Sequence, residues 1–379
     1  MALGDSAAPM FGAQRRKFCV SASLLGFGIR PALAAATPFA WADAKRVVDA
    51  ASLPGTPWLG PRSGPTARPS KNIALCAQDL HNGGVLGVAE GVREAARVIG
   101  WDLHVFHADG SARMEQAMLA GALDAKPDAV IVLASDHHTV DLQLRDYAGR
   151  APVIGWHVAS QPGPLADSSI FLNISTDPIE VARVTALAAM LPTRGQAGVV
   201  IFTDTRFEIA RVKAEQMAAV VLACGGTVLE MLNLPISDTA AQVPPAVRLL
   251  VDKYQARWTH ALAINDIYFD HAVPTLIDLG MGEDRSAMLS AGDGSASAVL
   301  RILAGAFQTS TVAEPLNLQG WQLIDELNRR FAGQAPSGYV PPAHLITQAN
   351  LDYDGEPRLT YDPDNGYRQV YRRIWGRES

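Results

Sequence analysis

The sequence predicts an α/β protein of two doubly wound, parallel-sheet lobes joined by a hinge that the chain crosses more than once. Three observations predict it. From Lys71 onward, short apolar runs alternate with helical patterns, which is the repeated βαβ signature of a parallel sheet covered on both faces. At Asp177-Pro178 the alternation restarts and runs a second time. After that second copy is complete, one more helix and one more strand follow, which suits a chain passing back and forth between two bodies.

The first 42 residues read as an export signal. Arg15-Arg16-Lys17-Phe18 precedes a weakly apolar run from Cys19 to Ile29, and small-residue cleavage motifs follow at Ala32-Leu33-Ala34, Ala34-Ala35-Ala36 and Ala40-Trp41-Ala42. The paired arginines resemble a twin-arginine signal, so the expected location is the periplasm. Residues 43–70 carry Pro54, Pro57, Pro61, Pro65 and Pro69, and are expected to form an arm rather than a core element.

In the first lobe, strands are expected at 72–77, 102–107, 129–133, 152–156 and 169–174. The helix at 85–99 follows from apolar residues at Val85, Val88, Val92, Ala95, Ala96 and Ile99, with Gly100 as its stop. Ser111 caps the next helix, and a short helix follows at 140–148. In the second lobe, helices are expected at 177–191, 208–224, 239–254, 267–279 and 295–304. They alternate with strands at 197–202, 228–232, 261–264, 287–290 and 309–312. A late helix at 317–331 and a strand at 343–347 complete the pattern. The lobes are accordingly assigned as 71–176 plus about 315–345, and 177–314 plus about 346–379.

Composition narrows the function. The chain has 379 residues, 48% hydrophobic and 18% charged, with a formal net charge of −6 and pI ≈ 5.8. An acidic chain without a basic stripe argues against a nucleic-acid partner. No apolar run reaches the roughly 18–20 residues that span a bilayer. Beyond the export signal, Cys76 and Cys224 fall in different lobes, so two free, buried thiols are expected. There is no metal-ligand spacing of Cys and His. His137-His138 beside Asp136 reads as a solvated loop, because adjacent residues do not share a helix face. Serine-nucleophile elbows, phosphate loops and His-Glu-x-x-His are absent, and Asn82-Gly83-Gly84 lacks the nucleotide-binding glycine spacing. Neither an enzyme nor a cofactor is therefore expected.

The stretch 258–272 concentrates the chemistry. An apolar strand ends on Asn265-Asp266, and strand carboxyl ends are where open α/β sheets bind ligands. An amide beside a carboxylate suits a hydroxyl-rich small molecule. Asp266 equally suits a cap for the helix from Ile267, and Asn265 a turn.

Four short stretches, taken in order, resemble the periplasmic sugar-binding proteins of ABC importers, the ribose- and galactose-binding type that shares its fold with lactose-repressor-like regulators. They are Ile73–Asp79 through Asn82 to Gly91, Lys126–Val132, Ala263-Ile264-Asn265-Asp266, and Ala291-Gly292-Asp293-Gly294. The resemblance covers about residues 71–350 and implies a type I periplasmic binding protein fold. It also implies a cleft between lobes, a sugar-like or polyol ligand, and a membrane permease as partner. A monomer is expected. Without an amino-terminal helix-turn-helix the regulator reading falls. A periplasmic sensor presenting its bound form to a membrane receptor or kinase is the remaining alternative.

Carried across residue by residue, the resemblance points to Asn82, His157, Lys213, Asn265, Asp293 and Glu314 as ligand contacts, with Asp79 and Asp266 beside them. His157 stands where the family has Asp, and Lys213 where it has Arg, which replaces a planar fork by a point charge. Gly83, Gly84 and Val85 stand where sugar-stacking aromatics are usual, so Trp156 or Tyr268 is expected to supply the platform.

Overall fold

In a computed structural model, residues 39–55, 57–145, 147, 149–282, 286–354 and 359–378 are described, so the expected export signal lies outside them apart from residues 39–42. The first element among the described residues is helix α1 (Trp41–Ala51). The first sheet is built from β1 (Asn72–Ala77), α2 (Gly83–Ile99), β2 (Asp102–His107), α3 (Ala112–Asp124), β3 (Ala129–Leu133), α4 (His137–Leu144), β4 (Val153–Trp156), β5 (Gly163–Pro164) and β6 (Ile170–Ile174). Its strand order is β2-β1-β3-β4-β6-β5, parallel except where the short β5 pairs with β6.

The second lobe follows with α5 (Pro178–Thr193), β7 (Gly198–Thr203), α6 (Glu208–Ala223), β8 (Thr227–Asn233), α7 (Thr239–Tyr254), β9 (His260–Ala263), α8 (Ile267–Asp278), β10 (Ala287–Ser290), α9 (Ala296–Ala304) and β11 (Gln308–Ala313). After it come α10 (Leu316–Phe331), β12 (His344–Thr347), α11 (Leu351–Asp354) and α12 (Tyr367–Trp375). The second sheet has the order β12-β11-β10-β9-β7-β8, with only β12 antiparallel. The central strands β1, β3, β4 and β9 are buried from end to end or nearly so, which is why they read as unbroken apolar runs.

Local signals in the sequence hold where caps are concerned. Ser111 accepts the Met114 amide at the start of α3, and Gly100 ends α2 at φ 86°. Asp177 caps α5 by accepting the Ile179 amide, and Pro178 opens that helix. Helix α8 departs from expectation. Asp266 makes no cap bond, and the Asn265 side chain accepts the Ile267 amide at 2.9 Å instead.

Three segments sit differently from the sequence-based division. Residues 43–70 were expected as an arm, but their start is α1, which packs on α5 with Ala44 inside the second lobe's core. The arm proper then crosses to the first lobe, where Trp58 is buried against Tyr371. Strand β12 joins the second sheet, whereas its first residues were assigned to the first lobe. Helix α12 belongs to the first lobe, not the second. Its Tyr367, Tyr371, Ile374 and Trp375 lie one helical turn apart and stack around Trp321 of α10. Four arginines around these residues hide that apolar stripe in the composition.

Helices α2 and α10 approach closely. A Cβ on Gly91 would stand 2.5 Å from the Asn317 carbonyl oxygen, and one on Gly320 would stand 2.7 Å from the Gly91 Cα. This contact fixes α10 to the first lobe, so the link between β11 and α10 is a true crossover carrying Glu314. Cys76 and Cys224 are both free and buried, and burial pushes their thiols up to about 12 and about 11. His137 and His138 begin α4 rather than a loop. No helix among the described residues is long and apolar enough to cross a membrane.

Candidate functional site

The carboxyl ends of the two sheets face one another across a cleft. From the first lobe, the loop after β1 brings Gln78 and Asn82, and the end of β4 brings Trp156 and His157. From the second, α6 brings Lys213, the end of β9 brings Asn265, and the loop after β10 brings Asp293. The space between them measures about 550 Å³ including its open mouth. The lobes touch: a Cβ on Gly110 would stand 2.6 Å from Ser237, and the Ser160 amide donates to Glu208 at 3.4 Å.

Glu314 is the centre of a buried charge cluster. Its Oε2 accepts from His157 Nε2 at 2.9 Å, Gln319 Nε2 at 3.0 Å and the Thr176 amide at 3.3 Å. Its Oε1 faces the Lys213 ammonium at 3.4 Å. Burial pushes the Glu314 carboxyl up, but the neighbouring His157 and Lys213 charges win and hold it below the usual carboxylate range. Lys213 also donates to the Ala291 carbonyl at 2.8 Å, so its ammonium is tied down. Thr176 and Glu314 sit on two different crossovers, so this cluster pins the hinge as well as flooring the cleft.

Asp293 is held differently. Asn265 Nδ2 donates to its Oδ2 at 2.5 Å. Its carboxyl is pushed up to about 6, chiefly by burial, against the pull of Lys213 and His157. Asp293 abuts Gly84 in the first turn of α2, where a Cβ would stand 2.9 Å from the Asp293 Cβ. The missing aromatics at Gly83 and Gly84 thus have a structural counterpart: the glycines make room for the opposing lobe.

Asn82 Oδ1 is committed to capping α2 through the Gly84 and Val85 amides, at 2.9 and 3.4 Å, which leaves its NH2 group for a ligand. Trp156 lines the cleft, but the His157 ring lies flat on it at 3.7 Å and its indole N–H donates to Gln319.

Four expected residues are not in the cleft lining: Glu314, fully buried with both carboxylate oxygens already engaged, and Asp266, Tyr268 and Asp79. Asp266 accepts from the amides of Asp293, Gly294 and Ser295 and from Gln308, at 2.9 to 3.1 Å, and from the Ser290 hydroxyl. With all its acceptor positions used, it shapes the loop that carries Asp293. Tyr268 is fully buried, donates to the Leu234 carbonyl at 2.7 Å and packs on Phe202, so it is no platform. Asp79 accepts the amide and ring N–H of His81 and organises the β1 loop. In their place the cleft has Phe207, half-buried at the head of α6, with Ile209 and Ile236 beside it. Phe207 follows the carboxyl end of β7, and that position alone marks it as a candidate.

His157, Asp293 and Glu314 offer ligand atoms within 4.8 Å of one another, a possible cation set. The Lys213 ammonium already stands against Glu314 and provides the positive charge there. A second group, His137, His138 and Glu208, lies at the cleft's rim.

No protein-family model and no curated protein matches the sequence. Solved structures do match in fold. An ABC transporter solute-binding protein from Agrobacterium vitis with bound allitol is 18% identical, with 75% of this chain and 97% of that chain covered at a TM-score of 0.64. A 5-methylthioribose transporter solute-binding protein from Thermotoga lettingae is 14% identical, with 85% and 95% covered at 0.66. The XylFII–LytSN complex contributes a chain that is 13% identical, with 74% and 99% covered at 0.64. The chain therefore has the two-lobed α/β fold of type I periplasmic binding proteins, as found in sugar-binding proteins of ABC transporters.

Proposed function

We propose that this chain is a periplasmic solute-binding protein that captures a small, polar, sugar-like ligand between its lobes and delivers it to an ABC permease. The observation that carries this reading is the convergence of Asn82 and His157 from one lobe with Lys213, Asn265 and Asp293 from the other, around Glu314 on the crossover. A cleft with apolar walls and a few converging polar groups has the make-up of a small-molecule site. Contacts to both lobes are complete only when the lobes are together, so a ligand shifts an open–closed equilibrium, and the permease reads the closed form. No covalent step and no cofactor is part of the mechanism, and the protein acts as a monomer without nucleic acid.

Three features bear on the ligand. His157 and Lys213 supply donors, Asp293 supplies an acceptor with Glu314 as the buried counter-charge behind them, and Phe207 supplies an apolar face in place of Tyr268. A thermal-shift screen against sugars, polyols and amino sugars tests the reading, with Asp293→Ala and Asn265→Ala alongside the wild type. A ligand stabilises the wild type by RT ln(1 + [L]/Kd). A ligand that shifts both variants as far as the wild type removes the cleft as its site. For export, Arg15→Lys with Arg16→Lys accumulates precursor in the cytoplasm if the twin-arginine reading holds, and normal export discards it.

A second reading, a periplasmic sensor that presents its bound form to a membrane receptor, is favoured by one observation. A chain of this fold occurs in a complex with LytSN, a second protein. Crosslinking the ligand-bound protein to its membrane partner separates the two readings, a permease in one case and a receptor in the other.

A further inference from the structure

We infer that the rim of the cleft carries a divalent-cation site of the zinc type, built from His137 and His138 of the first lobe and Glu208 of the second, so that a bound ion bridges the lobes. The three residues offer one ligand atom each, all within 4.8 Å of one another. Two ligands of a tetrahedral zinc ion stand roughly 3.4 Å apart, given Zn–N bonds of 2.0–2.1 Å. Side-chain adjustments at the partly exposed rim close that difference.

The surroundings are those of a ligand set rather than of three chance neighbours. His137 Nδ1 donates to the Val158 carbonyl at 3.0 Å, which orients the ring and makes Nε2 the nitrogen left to face an ion. A histidine ligand held through its other nitrogen by a carbonyl is the usual arrangement at metal sites. The His137 and His138 rings nonetheless turn toward each other at the start of α4, with centroids 3.9 Å apart. Asp136 holds the His138 amide at 3.0 Å and adds a negative charge beside the pair. On the other side, Glu208 is the first residue of α6 and receives the Ser160 amide from the first lobe. Two imidazoles and one carboxylate, with positions left for water, suit zinc, cobalt or nickel better than magnesium or calcium, which prefer oxygen ligands.

The lobe assignment gives the site its consequence. His137 and His138 lie on the first lobe and Glu208 on the second, so the full ligand set exists only in the closed arrangement. By linkage, the ion and a ligand in the cleft favour each other's binding. That coupling rests on the solute-binding reading, but the metal site does not.

The test uses the full chain purified without a histidine tag, titrated with Co2+ and then Zn2+ as the probes. One equivalent of Co2+ with visible d–d absorption, displaced by Zn2+, is expected. His137→Ala and Glu208→Gln should each weaken Zn2+ binding by at least about tenfold. Glu208 and His137 are partly exposed, and a melt in chelator confirms that the variants fold. Asp293→Ala should keep Zn2+ binding while losing any sugar response, which separates this inference from the proposed function. Zn2+ binding that is unchanged in Glu208→Gln overturns the bridge. Binding lost in Asp293→Ala instead of Glu208→Gln moves the ion to the cleft floor and overturns the site, as does the absence of stoichiometric binding.

Discussion

Replacing Gly84 by Ala separates closure from folding. If the lobes part without ligand, as the proposed mechanism requires, the new methyl in the first turn of α2 moves clear of Asp293. Alanine is the better helix former, by up to about 1 kcal/mol, so stability should hold or rise slightly. In the closed arrangement the methyl would stand 2.9 Å from the Asp293 Cβ and closer still to its carboxylate. Asp293 has little freedom to retreat. Asn265 holds its carboxylate, and Asp266 holds the amides of residues 293–295. Overpacking of this kind costs about 1–3 kcal/mol, which corresponds to roughly 5- to 140-fold in apparent ligand affinity. The assay is calorimetric titration with a ligand found in the screen, beside denaturant unfolding without ligand. Gly91→Ala is the contrasting variant. Its methyl would strike the Asn317 backbone within one lobe, so it should lower stability regardless of ligand. If Gly84→Ala binds as tightly as the wild type, the lobes do not close by bringing Asp293 onto α2, and the mechanism is wrong.

Three further outcomes are expected. Glu314→Gln removes the carboxylate that His157 and Lys213 share in the interior, and leaving the buried Lys213 ammonium without its counter-ion should lower unfolding free energy by about 3–5 kcal/mol in denaturant titration. Asp293 is raised from 3.8 to about 6 in the folded protein, so it favours folding below 3.8 and that contribution is lost as pH rises toward about 6. The stability of Asp293→Asn relative to wild type should therefore increase between pH 4 and pH 7, by on the order of 2 kcal/mol, and a pH-independent difference would refute the shift. Trp375→Ala should cost about 3–5 kcal/mol by thermal or denaturant unfolding, since the indole is buried, stacks on Trp321 at 5.3 Å and donates to Asp325. A small effect would mean that α12 is not part of the first lobe's core.

Much of the fold was legible because its signals are local. Buried parallel strands such as β3, Ala-Val-Ile-Val-Leu, carry their burial in their composition. Caps such as Ser111 and Asp177 act over two or three residues, so their effect can be read where they stand. Lobe membership at the chain's ends was not legible. Helix α1 and helix α12 are amphipathic, but which core their apolar face meets depends on elements far along the chain, Pro178–Thr193 for the first and Leu316–Phe331 for the second.

The candidate site divides along the same line. Position at a strand's carboxyl end is a local property, and it singled out Asn265, whereas Asn82, His157 and Asp293 were pointed to by the resemblance to sugar-binding proteins. What each side chain does there is decided by partners from distant segments. Asp266 and Asn265 are adjacent and chemically alike, yet one is consumed by the loop at residues 293–295 and the other reaches Asp293 in the cleft. Tyr268 and Phe207 exchange the roles expected of an aromatic platform, because the turn at Leu234 takes the tyrosine hydroxyl inward. His137 and His138 acquire a third neighbour only when the two lobes meet. By itself the sequence determined the alternation of strands and helices, the two sheets and the residues at their carboxyl ends, since backbone propensity and burial act over a few residues. Only the tertiary structure decided which carboxylates are free and which are spent, because hydrogen bonds and charge pairing are satisfied between segments the chain itself keeps far apart.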